Sequence, residues 1–172
     1  EDIEGYSGDD GRTSIFDYWG VKSQQAWMND GKFDGINLTE EQKELKRLYI
    51  NILNFAKNER TITEGNFYDI QWVNYDNPNY DDYKIYSFLR YTSDEILLFI
   101  CNFSEHEKQV MLNIPDDARQ LSGLKKLCHF KGEKFDFYSA STHFEMAQKD
   151  FYRLEHKLKG YSTLIYRIIN KV

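Results

Sequence analysis

Apolar residues recur at three- and four-residue steps over 39–57, with Leu45, Leu48, Tyr49, Ile52, Leu53 and Ala56 falling along one helical face. Thr39 and Gln42, three residues apart, have the spacing of a capping box, in which each side chain takes an orphan backbone N–H of the helix start. Glu40 and Glu41 lie at the positive end of the helix dipole and Lys57 and Arg60 at its negative end. The pattern therefore predicts one long amphipathic helix. Before it, residues 1–37 read as glycine-punctuated loop with a short helix over Ser23–Met28, whose Val21, Ala26 and Trp27 are expected inward. A stretch this aromatic and loop-rich cannot build its own core.

After Arg60 the period changes to two, the signature of strands. Thr61–Val73 reads as a strand interrupted at Gly65, and Asn74–Asp82 as a polar turn-rich loop. Tyr83–Tyr91 and Glu95–Phe103 form an antiparallel hairpin about the turn Thr92-Ser93-Asp94. Gln109–Ile114 follows, then short strands near Lys125–Phe130 and Lys134–Tyr138, the alternating Phe151–Lys159, a turn at Gly160-Tyr161-Ser162 and a closing strand Thr163–Ile169. Ile96-Leu97-Leu98-Phe99-Ile100-Cys101 has no polar residue on either face, so both faces should be covered, one by a second sheet and the other by the helical segment. The fold expected is mainly β: an N-terminal helical segment, residues 1–58, then a C-terminal antiparallel β-sandwich, residues 59–172.

Composition changes this picture in two ways. Among 172 residues there are 13 Tyr, 12 Phe and 3 Trp, an aromatic surplus that suits pleated surfaces and would also suit sugar binding. The first use requires no special function; the second would draw on Trp72, Tyr75, Tyr80 and Tyr83 as exposed platforms. The net charge of −6, with no run of Lys or Arg, argues against nucleic acid and anionic membrane surfaces as partners. No apolar run is long enough to span a bilayer, and no signal peptide is evident. The chain reads as soluble, with the compartment left open, secreted and periplasmic settings included. It opens Glu1-Asp2-Ile3 without methionine, as a processed or truncated chain would.

Candidate chemistry is sparse. The carboxylate doublets Asp9-Asp10, Glu40-Glu41, Asp81-Asp82 and Asp116-Asp117 fall in loops or at the helix start, where turn-forming and capping explain them. Asp9-Asp10-Gly11 lacks the alternating oxygen ligands of a calcium loop. His106, His129, His143 and His156 match no zinc spacing, and His156 belongs to the apolar face of its strand. Cys101 and Cys128 make no disulfide framework or metal-ligand spacing. Asn37-Leu38-Thr39 and Asn102-Phe103-Ser104 match the glycosylation pattern by chance. From these residues no catalytic site and no metal site is expected in the chain.

One motif is more specific. Asp10-Gly11-Arg12-Thr13-Ser14-Ile15-Phe16-Asp17-Tyr18-Trp19, followed by Trp27, Asn29, Gly31, Phe33, Asp34 and the Leu38–Gln42 box, resembles the end of the catalytic barrel of α-amylase-type enzymes, glycoside hydrolase family 13. Asp94–Ser104, Val110–Pro115 and Tyr161–Ile169 resemble strands of that family's C-terminal domain. The resemblance implies that the long helix is the last helix of a (β/α)8 barrel and that the sandwich is non-catalytic and stabilises the barrel. It further implies a parent enzyme that hydrolyses or rearranges α-glucosidic linkages of starch, glycogen or maltooligosaccharides. The three catalytic carboxylates and the family's structural calcium would lie upstream of Glu1, leaving no cofactor in this chain. Arg12 is the one residue with a substrate-binding role implied, since it stands where related enzymes have an Arg-Thr-Pro-Met segment at the cleft rim. The alternative is a stand-alone carbohydrate-binding β-sandwich that uses Trp72, Tyr75, Tyr80 and Tyr83.

Overall fold

Thr39 and Gln42 close the expected box in the computed structural model. The Thr39 N–H donates to Gln42 Oε1 at 3.0 Å, and the Gln42 N–H donates to Thr39 Oγ1 at 3.2 Å. The structure describes residues 22–123, 130–134, 142–146 and 154–169. Helix α1 spans Lys22–Met28, α2 Glu40–Asn58 and α3 Arg60–Thr63. The strands are β1 (Asn66–Asp69), β2 (Ile85–Tyr91), β3 (Glu95–Asn102) and β4 (Lys108–Leu112). Helix α4 (Asp116–Ser122) precedes β5 (Phe130–Lys134), β6 (Thr142–Met146), β7 (Leu154–Leu158) and β8 (Ser162–Ile169). Two compact units result, Glu1–Ile50 and Asn51–Val172, with α2 running from one into the other.

In the first unit α1 forms where a helix is expected, but it buries no residue, and Trp27 is 41% exposed rather than inward. The indole instead carries the Lys46 ammonium over its ring, 4.8 Å from the centroid, a cation–π contact that needs no core. The Lys46 Nζ also donates to the Phe33 carbonyl at 3.2 Å. That bond helps hold Phe33 at a positive φ of 54°, a conformation that a bulky residue seldom adopts. Leu38 is buried.

The second unit is built on one sheet in the order β1-β2-β3-β8, antiparallel throughout, with a two-stranded sheet β4-β7 and a second pair β5-β6. The β2–β3 hairpin forms as expected, its turn closed by Thr92 N–H donating to the Glu95 carbonyl at 2.9 Å. The chain does turn after β7, but β7 pairs with β4 while β8 pairs with β3, so the turn carries the chain from one sheet to another. Gly160 is required at this crossing because a Cβ there would lie 2.0 Å from the Glu105 carbonyl oxygen.

Alternation along β3 divides its side chains between two cores. Ile96, Leu98 and Ile100 join Leu89, Val110, Leu112, Leu158, Leu164 and Ile168 in the larger cluster. Leu97 and Phe99 join Ile165 in a smaller one, against which Phe55, Ile62 and Phe88 pack. The doubly apolar strand is therefore covered on both sides. The helical cover differs from the one expected: it is Phe55 near the end of α2 and Ile62 in α3, whereas Leu45, Tyr49 and Leu53 are exposed. The reason is the short helix α3, which stands where Thr61 was read as strand. Arg90 donates to two carbonyls of α3, Ile62 O and Thr61 O (3.4 Å), and to Gly65 O just beyond it at 2.6 Å. The firm strand expected over Phe67–Trp72 shortens to Asn66–Asp69 and passes into a 3-10 turn, Trp72–Asn74. The expected strand near Lys125–Phe130 mostly falls outside the described residues, as does Tyr138, and β5 occupies Phe130–Lys134.

His156 lies in the larger interior at 3% exposure, its Nδ1 2.6 Å from the Tyr166 hydroxyl. Burial lowers its pKa from 6.5 to about 4. Between those values the unfolded chain binds the proton and the folded one does not. Stability from this group is therefore complete above about pH 6.5 and is lost as pH falls toward 4, by at most roughly 3 kcal/mol. The urea midpoint should fall across that window, and His156→Gln should flatten the slope. In the same assay Leu98→Ala should cost about 2–5 kcal/mol, because it empties a packed site, while Leu45→Ala should stay within about 0.5 kcal/mol.

Candidate functional site

The segment between β1 and β2 holds the exposed aromatics singled out in the sequence, and its backbone is fixed by buried amides. Asn74 is 0% exposed; its Nδ2 donates to Ile70 O (2.8 Å) and Asn113 O (3.0 Å), and its Oδ1 accepts from Asn113 N–H (2.9 Å). Gln71 is 7% exposed, and its Nε2 donates to Asp82 O (3.1 Å) and Ile85 O (3.0 Å). Asn77 Nδ2 donates to Met111 O at 2.7 Å, and Lys108 pairs with Asp81 at 2.8 Å. An irregular segment needs such partners for its backbone groups, and here side-chain amides supply them.

Of the four candidate platforms, Trp72, Tyr75 and Tyr83 are exposed, at 51%, 58% and 91%. Tyr80 is not. At 5% exposure it packs into the larger cluster, and its hydroxyl donates to Gln71 Oε1 at 2.5 Å with Ser87 Oγ at 3.1 Å. Its phenol serves the core because the loop folds it back over Ser87, so it offers no surface to a sugar. Arg12 lies outside the described residues.

Tyr68 and Asp117 were not singled out by sequence reasoning. The Tyr68 hydroxyl donates to Asp117 Oδ2 at 2.5 Å, and Asp117 Oδ1 accepts the Ala118 N–H at 3.0 Å. Burial and the neighbouring carboxylate push the Tyr68 phenol up to about 12, and the Tyr68 bond holds Asp117 below the usual carboxylate range. The remaining described doublets have local roles. Asp116 pairs with Arg119, Glu40 with Lys43, and Glu41 stands in the first turn of α2. Among the described residues no three His, Cys, Asp or Glu side chains come together as a metal cage. No helix of the described residues is long and apolar enough to cross a membrane.

In the first unit Asn29, Asp34 and Asn37 form a bonded set beside an open polar cleft lined by Lys22, Gln25, Asp30 and Asn37. Asn29 Nδ2 donates to Asp34 Oδ1 at 2.9 Å, and Asn37 Nδ2 donates to Asn29 Oδ1 at 2.8 Å. In the second glycosylation pattern Asn102 is 2% exposed and both its amide bonds go inward, to His106 O and Lys159 O.

No family model matches the chain, and no curated protein matches it. Solved structures do. A maltogenic α-amylase from Thermotoga neapolitana aligns with TM-score 0.52 at 15% identity, over 78% of this chain and 27% of that one. An α-amylase from Anoxybacillus aligns with TM-score 0.47 at 15% identity, over 76% of this chain and 23% of that one. An isomaltulose synthase from Erwinia rhapontici NX5 aligns with TM-score 0.41 at 18% identity, over 70% and 17%. The chain thus spans 17% to 27% of the length of these enzymes. The Thermotoga comparison defines the class: a mainly antiparallel, β-sandwich-like domain preceded by helices. The resemblance to α-amylase-type glycoside hydrolases read from the sequence extends to the fold.

Tyr80→Phe would strip the partner from Gln71 Oε1 in a dry interior. It should cost about 1–3 kcal/mol in chemical denaturation, while Tyr83→Phe at the surface should cost nothing measurable.

Proposed function

We propose that this chain is the non-catalytic C-terminal portion of an α-amylase-type enzyme acting on α-glucans, with residues 59–172 stabilising the catalytic barrel. The observation that carries the reading is the Thermotoga alignment, which takes in 78% of this chain but 27% of the enzyme. Residues 1–58 then end the barrel, and α2 is its last helix. The exposed face Leu45, Tyr49, Ile50 and Leu53 supports that assignment, since an apolar stripe this long on a helix ordinarily has a covering surface. Catalytic carboxylates, and any structural calcium, belong to the missing part of the barrel, and α-glucan substrate reaches this chain through the parent enzyme.

The test has two arms. The purified 172-residue chain should release no reducing ends from soluble starch, because glycoside cleavage needs two facing carboxyl groups. The natural full-length polypeptide should release them, and deletion of residues 59–172 should lower its inactivation temperature. Starch cleavage by the chain alone, or an inactive full-length polypeptide, would overturn the reading.

A further inference from the structure

The two faces of β3 are closed over different lengths. Toward the larger core Ile96, Leu98 and Ile100 are 0% exposed and Asn102 is 2% exposed, so that face is shut from end to end. On the other face Leu97 is 0% and Phe99 9% exposed, Cys101 is half-buried and Phe103 is 63% exposed. Strand β8 repeats the gradient: Ile165 is 1% exposed, Thr163 is half-buried and Tyr161 is 68% exposed. The register sets these residues in rows, Phe99 between Phe88 and Ile165, and Cys101 between Tyr86 and Thr163. The Phe103 N–H donates to the Lys84 carbonyl at 2.8 Å, which carries the alternation one step past the end of β3.

The gradient follows from where the helical cover stops. Phe55 and Ile62 close the end of the face near Glu95, where Thr61 bonds to Glu95 and Arg90 to the Ile62 carbonyl. Beyond Phe99 the cover ends but the apolar sequence does not. Phe67, 51% exposed, has its ring 5.5 Å from Phe88, and Phe88 stacks on Phe99. A sheet face written for water would turn polar here. This one stays aromatic, with Asp69 and Lys84 at its margins.

Size and chemistry narrow the occupant. At about 3.4 Å per residue, Phe99 to Phe103 spans about 14 Å. That is slightly more than the width of one α-helix with its side chains, about 10–12 Å. A small polar ligand gains little on this surface, since the backbone groups of β3 beneath it are spent on β2 and β8. An amphipathic helix with an apolar stripe matches both the width and the chemistry. It would also extend a cover that helical residues already form on this same face.

We propose that the open half of this face seats one further helix of the parent polypeptide, from the part of the barrel missing here, laid alongside the α2–α3 cover. The helical occupant rests on the surface; its origin rests on the proposed function.

Cys101, half-buried in the middle of the open half, reports on the seat. In a Cys128→Ser background, its alkylation by iodoacetamide is timed in the 172-residue chain and in the natural full-length polypeptide. The full-length protein should react about tenfold more slowly or less, as a covered side chain does. Phe103→Ser should speed alkylation of the full-length protein and lower its unfolding temperature, while leaving the urea midpoint of the 172-residue chain unchanged. Phe67→Ser, at the other edge of the patch, should also speed alkylation. Circular dichroism checks that each variant is folded, and the unmutated comparison stands without them. Equal rates in the two proteins would overturn the proposal. So would protection that rises with concentration in the 172-residue chain alone, which would make a second copy the occupant. Failure of the functional reading is distinguishable: a full-length polypeptide that shields Cys101 but leaves starch uncut loses the enzyme and keeps the seat.

Discussion

Strand β3 cannot be solvated on either side, and the rest of the second unit is arranged around that constraint. Ile96–Asn102 pair with β2 along one edge and all eight residues with β8 along the other, so its backbone groups are satisfied within the sheet. Its side chains then need two separate apolar covers. The larger core, with Val110, Leu112 and Leu158, supplies one, and Phe55, Ile62 and Phe88 supply the other. Phe88 stacks on Phe99 with ring centroids 4.5 Å apart and planes 5° from parallel, so part of the second cover comes from the sheet itself. Each cover removes side chains worth about 1.5–3 kcal/mol apiece from water.

The second cover depends on polar groups to stay in place. Arg167, on the same face of β8 as Ile165, pairs with Glu59 at 2.6 Å and with Glu95 at 3.5 Å. Glu95 in turn accepts from Thr61 Oγ1 at 2.5 Å, and Arg90 holds the Thr61 and Ile62 carbonyls of α3. These contacts fasten α3 and the residues on either side of it to the sheet. Ion pairs this little exposed add modest net energy, but losing one member would strand its partner. Their effect is to fix where the helical cover sits. Gly65 completes the junction, because a Cβ there would lie 2.2 Å from the Thr61 carbonyl oxygen.

What was legible in the sequence were the features that depend on local period. The capping box, the length of α2, the β2–β3 hairpin and the two-sided burial of β3 all follow from spacing and from the absence of polar residues. Where the reading went astray, a longer-range contact decided. Thr61 has a strand-forming side chain, yet it is helical because Arg90 and Glu95 bind the turn around it. Tyr80 carries no sequence mark of burial; the amide bonds that fold its loop inward set its place. Helix α4 had readable signals, Pro115 before Asp116-Asp117 and Gly123 at a φ of 69° closing its end, in a stretch to which the sequence reading assigned no element. The Tyr68–Asp117 pair joins residues 49 apart, a separation that no local pattern encodes. The most specific part of the family resemblance, residues 10–19, lies outside the described residues, and the agreement in fold stands apart from it.

The exposed apolar residues of α2 indicate what that helix face can accept. Along α2, Leu45, Tyr49, Ile50 and Leu53 form a broad aliphatic stripe with one aromatic, regular in spacing and 46% to 64% exposed. A surface of that form gains by burying area, so its natural complement is another packed element, and small polar molecules offer it little.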